Sequence, residues 1–470
     1  MADANDIPRP KNTGSRFSAW HLLPFVFFVA GYFLVPRYAQ DKEITTLIYI
    51  GIGSLLALGL NLLMGYAGQV SLGHAAFFGL GAYTSAILAV RPISGDLIPG
   101  FSAGIGVMTG CVALISLTRA AGWRLAAGVA ALLALTWVVR LAHITHAPAI
   151  GLYAVGSALV GFAVRLGWWK PAIAGIVCGL LWWLSGSFLS AALEAGGTSP
   201  WAGMTAGVFV TGLIAYLIGG PVLRLRGHYL AMATLGFGVI VEIVFSQWMA
   251  VTGGSSDGIP SVPTIHFIDG LPAPVRGIFE MALGGPVDAR RQYFLLVWAF
   301  VFLALVLAVN IVRSRVGRAF RAVHGSEAAA ESLGVDTGRY KVQVFVLSAS
   351  LASLAGSLLA HNVPCGYVSP GQFGFLVSVE LLAMVVIGGM ASVWGALFGA
   401  TTIQLLKNWM LTLSQSQPVF GLTLKGMEPV VFGLILILVM IVLPQGLVRG
   451  LTDIVLASWR TARRAAHRKE

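Results

Sequence analysis

Residues 313–341, RSRVGRAFRAVHGSEAAAESLGVDTGRYK, separate two long apolar runs in a chain of 470 residues of which only 10% are charged. A segment this polar is held in water, so the runs on either side are read as elements that leave and re-enter an apolar phase. It carries Arg313, Arg315, Arg318, Arg321, Arg339 and Lys341 against Glu327, Glu331 and Asp336. The excess of cations places it on the cytoplasmic face of a membrane. Its middle is predicted to fold as a short helix from Glu327 to Leu333. Ser326 caps it, Glu327 complements the positive end of the dipole, Ala328, Ala329 and Ala330 favour helix, and Gly334 ends it in a left-handed turn. Glu327 and Glu331 then share one face, leaving Ala330 and Leu333 to enter a groove on a soluble partner.

Composition agrees with a membrane-embedded chain. Hydrophobic residues make up 57% of the sequence and the mean hydropathy is +0.84, well beyond a soluble domain. The formal net charge of +12 is distributed over span ends and loops and forms no single patch, which argues for orientation in a bilayer and against nucleic-acid binding. The three cysteines, Cys111, Cys178 and Cys365, are scattered, so neither a disulfide framework nor a metal site is expected.

Apolar runs near the ~20 residues needed to cross a bilayer recur along the chain. They lie at about 21–37, 44–66, 72–90, 101–118, 123–140, 149–166, 171–193, 202–219, 229–250, 293–312, 341–361, 376–390, 393–411 and 429–447. The predicted fold class is all-α, a polytopic transmembrane helical bundle. Counting from a cytoplasmic start returns the C-terminus to the cytoplasm, and most of the 30 Lys and Arg residues then fall on that side. The pair at 376–390 and 393–411 is read either as two spans or as a re-entrant hairpin, since its turn, Gly388 to Ser392, carries no charge.

Several polar residues interrupt these runs at a depth where polar groups are costly. Asn61, Gln69, Ser71 and His74 stand in NLLMGYAGQVSLGHAAFFGLGAY (61–83), a glycine-rich break of the kind that lines transport sites. A tight turn with His74 satisfied by a neighbouring carbonyl is the simpler reading of that histidine. Glu242 and Glu380 are acids within apolar runs. Each either faces a central pathway, where it meets a substrate ammonium, or hydrogen-bonds to an adjacent helix. The segment TGGSSDGIPSVP (252–263) is built of turn formers and reads as a structured loop, at the entrance or as a plain cap.

Taken in order, the 61–83 run, PVLRLRGHYLAMATLGFGVIVEIV (221–244), TGGSSDGIPSVP, the charged segment, YVSPGQFGFLVSVELLAMVVIGGMASVWGALFGA (367–400) and LPQGL (443–447) resemble the LivM-type permease of branched-chain (hydrophobic) amino-acid ABC transporters. The resemblance covers most of the chain outside residues 97–200. It implies about ten family-core spans, with 97–200 looking like an insertion of about four more. The implied organisation is a cytoplasmic tail at 1–20, a first transmembrane part at 21–96, the inserted spans at 97–200, a second transmembrane part at 201–447 and a basic cytoplasmic tail at 448–470. The second part would include a periplasmic loop at 251–291 and a cytoplasmic coupling loop at 313–340. The resemblance assigns ATPase coupling to Glu327, Ala328, Ala329, Leu333 and Gly334. Here Glu-Ala-Ala precedes Gly334 by four residues, one more than the family signature.

The family implies a subunit of a bacterial inner-membrane importer working by alternating access. Its partners would be a homologous second permease, two cytoplasmic ATPases, a periplasmic substrate-binding protein and membrane lipids, with no cofactor. Related permeases handle urea, amides or aromatic acids, which leaves the substrate open. The chain contains no GxxxxGK[ST] phosphate loop, so it is not expected to hydrolyse ATP, and no HExxH motif suggests another enzyme. An ion-coupled secondary transporter is the rival reading, but such a carrier needs no charged coupling segment.

Overall fold

The computed structural model describes residues 35–90, 198–225, 227–254, 258–269, 273–283, 287–362 and 366–415, with single positions outside these stretches. The expectations for residues 1–20, most of the span at 21–37, nearly all of 97–200, the span at 429–447 and the 448–470 tail lie outside the described residues. So do Cys111, Cys178 and Cys365.

What is described is almost entirely helical, and six helical stretches are long and apolar enough to cross a membrane. The first, α1 (Asp41–Asn61), begins with Asp41 and Glu43 in its first turn, and the Gln40 backbone N–H donates to Glu43 Oε2 at 2.9 Å. It runs on through a π-helical turn at Leu62–Tyr66. Ile50 to Tyr66 are buried without interruption, as expected for a helix that is apolar all round and stands at the centre of a bundle. The remaining long helices are α2 (His74–Val90), α3 (Pro200–Val222), α4 (His228–Gln247), α6 (Ala289–Arg313), α9 (Thr337–Ala360), α10 (Phe375–Gly388) and α11 (Val393–Gln415). Helices α6, α9, α10 and α11 surround α1.

Small residues let α2, α3 and α9 approach closely, the usual means of helix association where no hydrophobic force separates lipid from protein. Gly356 on α9 faces the carbonyl of Phe78 on α2, and Ser357 Oγ donates to Gly81 O at 3.1 Å. The ascending pairs His74/Ser348, Phe78/Gly356 and Ser85/His361 make α2 and α9 parallel neighbours. Helix α11 runs antiparallel to α1. Asn61 Nδ2 donates to Ser392 O at 2.6 Å at one end, and Asn408 Nδ2 donates to Thr46 Oγ1 at 3.3 Å at the other.

Between the spans lie elements that apolar periodicity does not disclose. The loop expected at 251–291 contains a helix, α5 (Ala273–Leu283), carrying an Arg276–Glu280 pair at 2.9 Å. A two-residue strand β1 (Ile259–Pro260) pairs antiparallel with β2 (Tyr367–Val368), in register Ile259↔Val368. His361 bolts this end to the bundle. Its Nδ1 lies 2.7 Å from Pro263 O, which can only accept, so Nδ1 donates there and Nε2 accepts from the Ser85 hydroxyl at 2.7 Å. TGGSSDGIPSVP is thereby a loop tied into the end of the bundle, with 255–257 outside the described residues.

A methyl group at Gly356 lands on the Phe78 carbonyl, whereas one at Gly220 in α3 meets nothing within 4 Å. Gly356→Ala should therefore lower the thermal unfolding midpoint of the detergent-solubilised chain by the equivalent of roughly 1–3 kcal/mol. Gly220→Ala should leave it unchanged or raise it. Equal midpoints would mean that α2 and α9 are free to move apart.

Candidate functional site

The charged segment folds as two helices, not one: α7 (Arg315–Gly325) and α8 (Glu327–Ser332). Ser314 Oγ caps α7 by accepting from Val316 N at 3.1 Å. The buried side of α7 is Gly317, Phe320 and Val323, at helical spacing, with Phe320 edge-on to Tyr340 of α9 at 6.3 Å between centroids. Arg315, Arg318 and Arg321 are exposed on the other side. Helix α7 does not show as an apolar run of spanning length; the available signal was its amphipathic pattern, with Gly317, Phe320 and Val323 at helical spacing between Arg315, Arg318, Arg321 and His324.

Helix α8 matches the predicted capping. Ser326 Oγ accepts from Ala329 N at 3.3 Å, and Gly334, at φ +82°, closes the helix. Gly334 N bonds to Glu331 O at 2.9 Å and Val335 N to Ala330 O at 3.0 Å, the paired bonds of a Schellman turn that needs a left-handed residue. Both acids of α8 are tied back to α9. Glu327 forms an ion pair with Lys341, and Thr337 Oγ1 donates to Glu331 Oε1 at 2.6 Å. Ala328 and Ala329 are exposed, and Leu333 is 83% exposed. Ala330 is not available to a partner as expected: it is 2% exposed and packed against its own chain.

A second polar locus is the break between α1 and α2. Residues 67–73 leave helical geometry, and burial alternates, with Gln69, Ser71 and Gly73 inside and Gly68 and Val70 outside, as in an extended segment. The freed backbone groups find partners: Gln69 N bonds Leu63 O at 3.1 Å, Leu72 N bonds Thr234 Oγ1 at 3.1 Å and Ala75 N bonds Ser378 Oγ at 3.2 Å. Of the buried polar side-chain atoms at 69, 71 and 74, one does. His74 Nε2 sits 3.1 Å from Ser348 Oγ, whose proton goes to Gly59 O at 2.6 Å. Nε2 must therefore carry the hydrogen, which leaves Nδ1 as a bare acceptor. His74 Nδ1, both polar atoms of Gln69 and the Ser71 hydroxyl are buried without a partner among the described residues. The partner of His74 is thus a serine hydroxyl and not a carbonyl. Helix α7 leans on this break, for a Cβ at Gly68 would lie 2.9 Å from His324 Nδ1.

The other candidate residues stand apart from this locus. Asn61 holds the α10–α11 turn with both ends of its amide, donating to Ser392 O and accepting from Ala391 N at 3.0 Å. Glu380, its side chain 15% exposed, binds Lys407 Nζ on α11 through both oxygens at 2.8 and 2.7 Å. Lys407, a cation inside the apolar run 393–411, was the available signal for that pair. Glu242 is half-buried on α4, its carboxylate against Gly374, where an added Cβ would lie 2.9 Å from Oε1. The same helix exposes Met232, Ile240 and Ile243.

A family model described as the permease component of branched-chain amino acid transport systems matches residues 44–148 and 145–443. The chain is 33% identical over 259 residues to the LivM permease of Salmonella typhimurium, covering 53% of this chain and 58% of the relative. It is 34% identical over 250 residues to the LivM permease of Escherichia coli, covering 51% and 56%. To the LivH permease of Escherichia coli it is 33% identical over 152 residues, covering 32% and 46%. The chain thus spans little more than half the length of these LivM relatives. No solved structure matches it.

Lys407→Met strands the Glu380 carboxylate among apolar helices, whereas the Glu380→Gln/Lys407→Met double variant removes the charge altogether. The single change should lower the unfolding midpoint more than the double does, because a lone charge in a low-dielectric setting costs more than no charge. Thermal unfolding in detergent checks this through a double-mutant cycle. Additive effects would mean the two groups are solvated separately.

Proposed function

Because the chain belongs to the branched-chain amino acid transport system permease family, we propose that it is a membrane subunit of an ATP-driven importer of branched-chain or other hydrophobic amino acids. In this reading it works in a bacterial inner membrane with a homologous second permease, two cytoplasmic ATPases and a periplasmic binding protein. The observation that carries the proposal is the α7–α8 segment in a family member that has no phosphate loop of its own. A short helix tied at both ends and presenting Ala328, Ala329 and Leu333 outward is a rigid handle through which an external motor acts. Orientation with α8 and both termini in the cytoplasm is supported by the cation excess around it. Residues 97–200 are inserted spans in the same reading.

The motion has a route inward, since α7 rests through His324 on the break that ends α1. At that break Gln69, Ser71 and His74 hold polar atoms with no partner among the described residues, at a depth where such atoms are costly. We assign them to the pathway, where water or the polar end of an amino acid supplies the missing hydrogen bonds during alternating access. Glu242, on an otherwise apolar face, is the pathway acid that meets an ammonium group. Asn61 and Glu380 act on the pathway through the packing of the α10–α11 hairpin.

Purification in mild detergent should recover this chain with a second permease and two ATPases. At equal membrane abundance, Leu333→Asp should reduce uptake about tenfold or more, the equivalent of ~1.4 kcal/mol at a docking contact, and uncouple ATP hydrolysis from loaded binding protein. A lone, ion-coupled, fully active carrier would overturn the proposal.

Gln69→Leu and Ser71→Ala should behave differently from packing mutations. Each removes an unpaired buried group, so thermal stability should hold or rise while uptake falls. Normal uptake in both variants would remove these side chains from the pathway.

A further inference from the structure

The charged segment has a feature beyond the outward-facing Ala328, Ala329 and Leu333. Its three acids are all engaged within the fold: Glu327 with Lys341, Glu331 with Thr337, and Asp336 as the N-cap of α9, where Oδ1 accepts from Arg339 N at 3.1 Å. The arginines are not neutralised in return. Arg315, Arg318 and Arg339 make no ion pair with any described residue, yet they converge on one concavity of about 480 Å³ between α7 and the start of α9. Ala319, Ala322, Gly334, Val335, Asp336 and Tyr340 complete the wall, so the lining carries three guanidinium groups against one carboxylate that is already hydrogen-bonded.

Its depth identifies the ligand. Arg315 comes two residues after the end of α6, which is long and apolar enough to cross a membrane, and Arg339 lies in the first turn of α9, which is too. The concavity therefore opens at the level where spans emerge from hydrocarbon, with Tyr340 an aromatic of the type that settles there. Leu333, 83% exposed, adjoins the lining at Gly334 but is not part of it. Guanidinium forks match phosphate oxygens in planar, paired hydrogen bonds. We propose that this pocket binds a phosphate group, that of an anionic glycerophospholipid in the adjacent leaflet. By holding α7, the bound headgroup sets how firmly that helix rests on Gly68 at the break. The binding itself requires only that the chain spans a membrane and stands whether or not the import reading does.

The test uses the full chain, purified with whatever subunits accompany it, in nanodiscs of phosphatidylcholine alone or with added phosphatidylglycerol. Native mass spectrometry after delipidation should show phosphatidylglycerol retained on the wild type, and the unfolding midpoint should rise with it. The Arg315→Gln/Arg318→Gln/Arg339→Gln variant should lose both effects. Arg318→Gln alone should weaken retention about fivefold, which keeps the test open if the triple variant does not fold. Arg321→Gln, an exposed arginine of α7 outside the pocket, should change nothing. A second arm adds inorganic phosphate to phosphatidylcholine nanodiscs. Stabilisation there, with none from phosphatidylglycerol, would assign the pocket to a soluble phosphate and overturn the lipid. Equal losses in Arg321→Gln and Arg318→Gln would show diffuse charge attraction and no site. Loss of ATPase subunits from the triple variant with lipid retention unchanged would give the pocket to a protein partner.

Discussion

Backbone amides and carbonyls in hydrocarbon have no water to bond, so every departure from helix must be repaired by the protein itself. The break between α1 and α2 is the place where this constraint is most demanding. Thr234 of α4, Ser378 of α10 and the carbonyl of Leu63 each take one of the freed amides. Two helices distant in sequence, α4 and α10, are thereby drawn to the break. The close packing of α2 on α9 and the fit of the α10–α11 turn to Asn61 follow from holding that point together.

Repair of the backbone but not of the side chains is what distinguishes the break from an ordinary turn. A turn serving only to reverse the chain would be stabler with apolar residues at positions 69 and 71, since a buried unpaired donor or acceptor costs on the order of 1–3 kcal/mol. Their presence agrees with the proposed pathway, in which the site is filled transiently. The rigid α7–α8 unit, its acids tied to α9 and His324 set against Gly68, lies next to that site. A displacement imposed at one therefore reaches the other through direct contact.

Much of this was visible in the residues. The long helices at 44–66, 72–90, 202–219, 229–250, 293–312, 341–361, 376–390 and 393–411 each have a counterpart in the structure, because a continuous apolar run of that length has few other stable forms. The Ser326 cap and the left-handed Gly334 were equally legible, being local bonds between near neighbours. Helices α5 and α7 do not show as apolar runs of spanning length, since each has only 11 residues, and short helices owe their stability to what they pack against. Ala330 was misjudged for a related reason: a small residue on a short helix reads the same whether it faces solvent or its own chain.

The sequence by itself determined that the chain is a membrane-spanning helical bundle with a water-exposed charged segment, since hydropathy and local capping depend on residue type and near spacing alone. It could name Asn61, Gln69, Ser71, His74, Glu242 and Glu380 as polar residues at costly depth. Only the tertiary structure decided which of them are satisfied. Asn61 meets a turn more than three hundred residues away and Glu380 meets Lys407 on the next helix, while the side chains of Gln69 and Ser71 and His74 Nδ1 find no hydrogen-bond partner among the described residues. A hydrogen-bond partner supplied from another helix is a matter of how the helices cross, and no periodicity along one strand of chain encodes it.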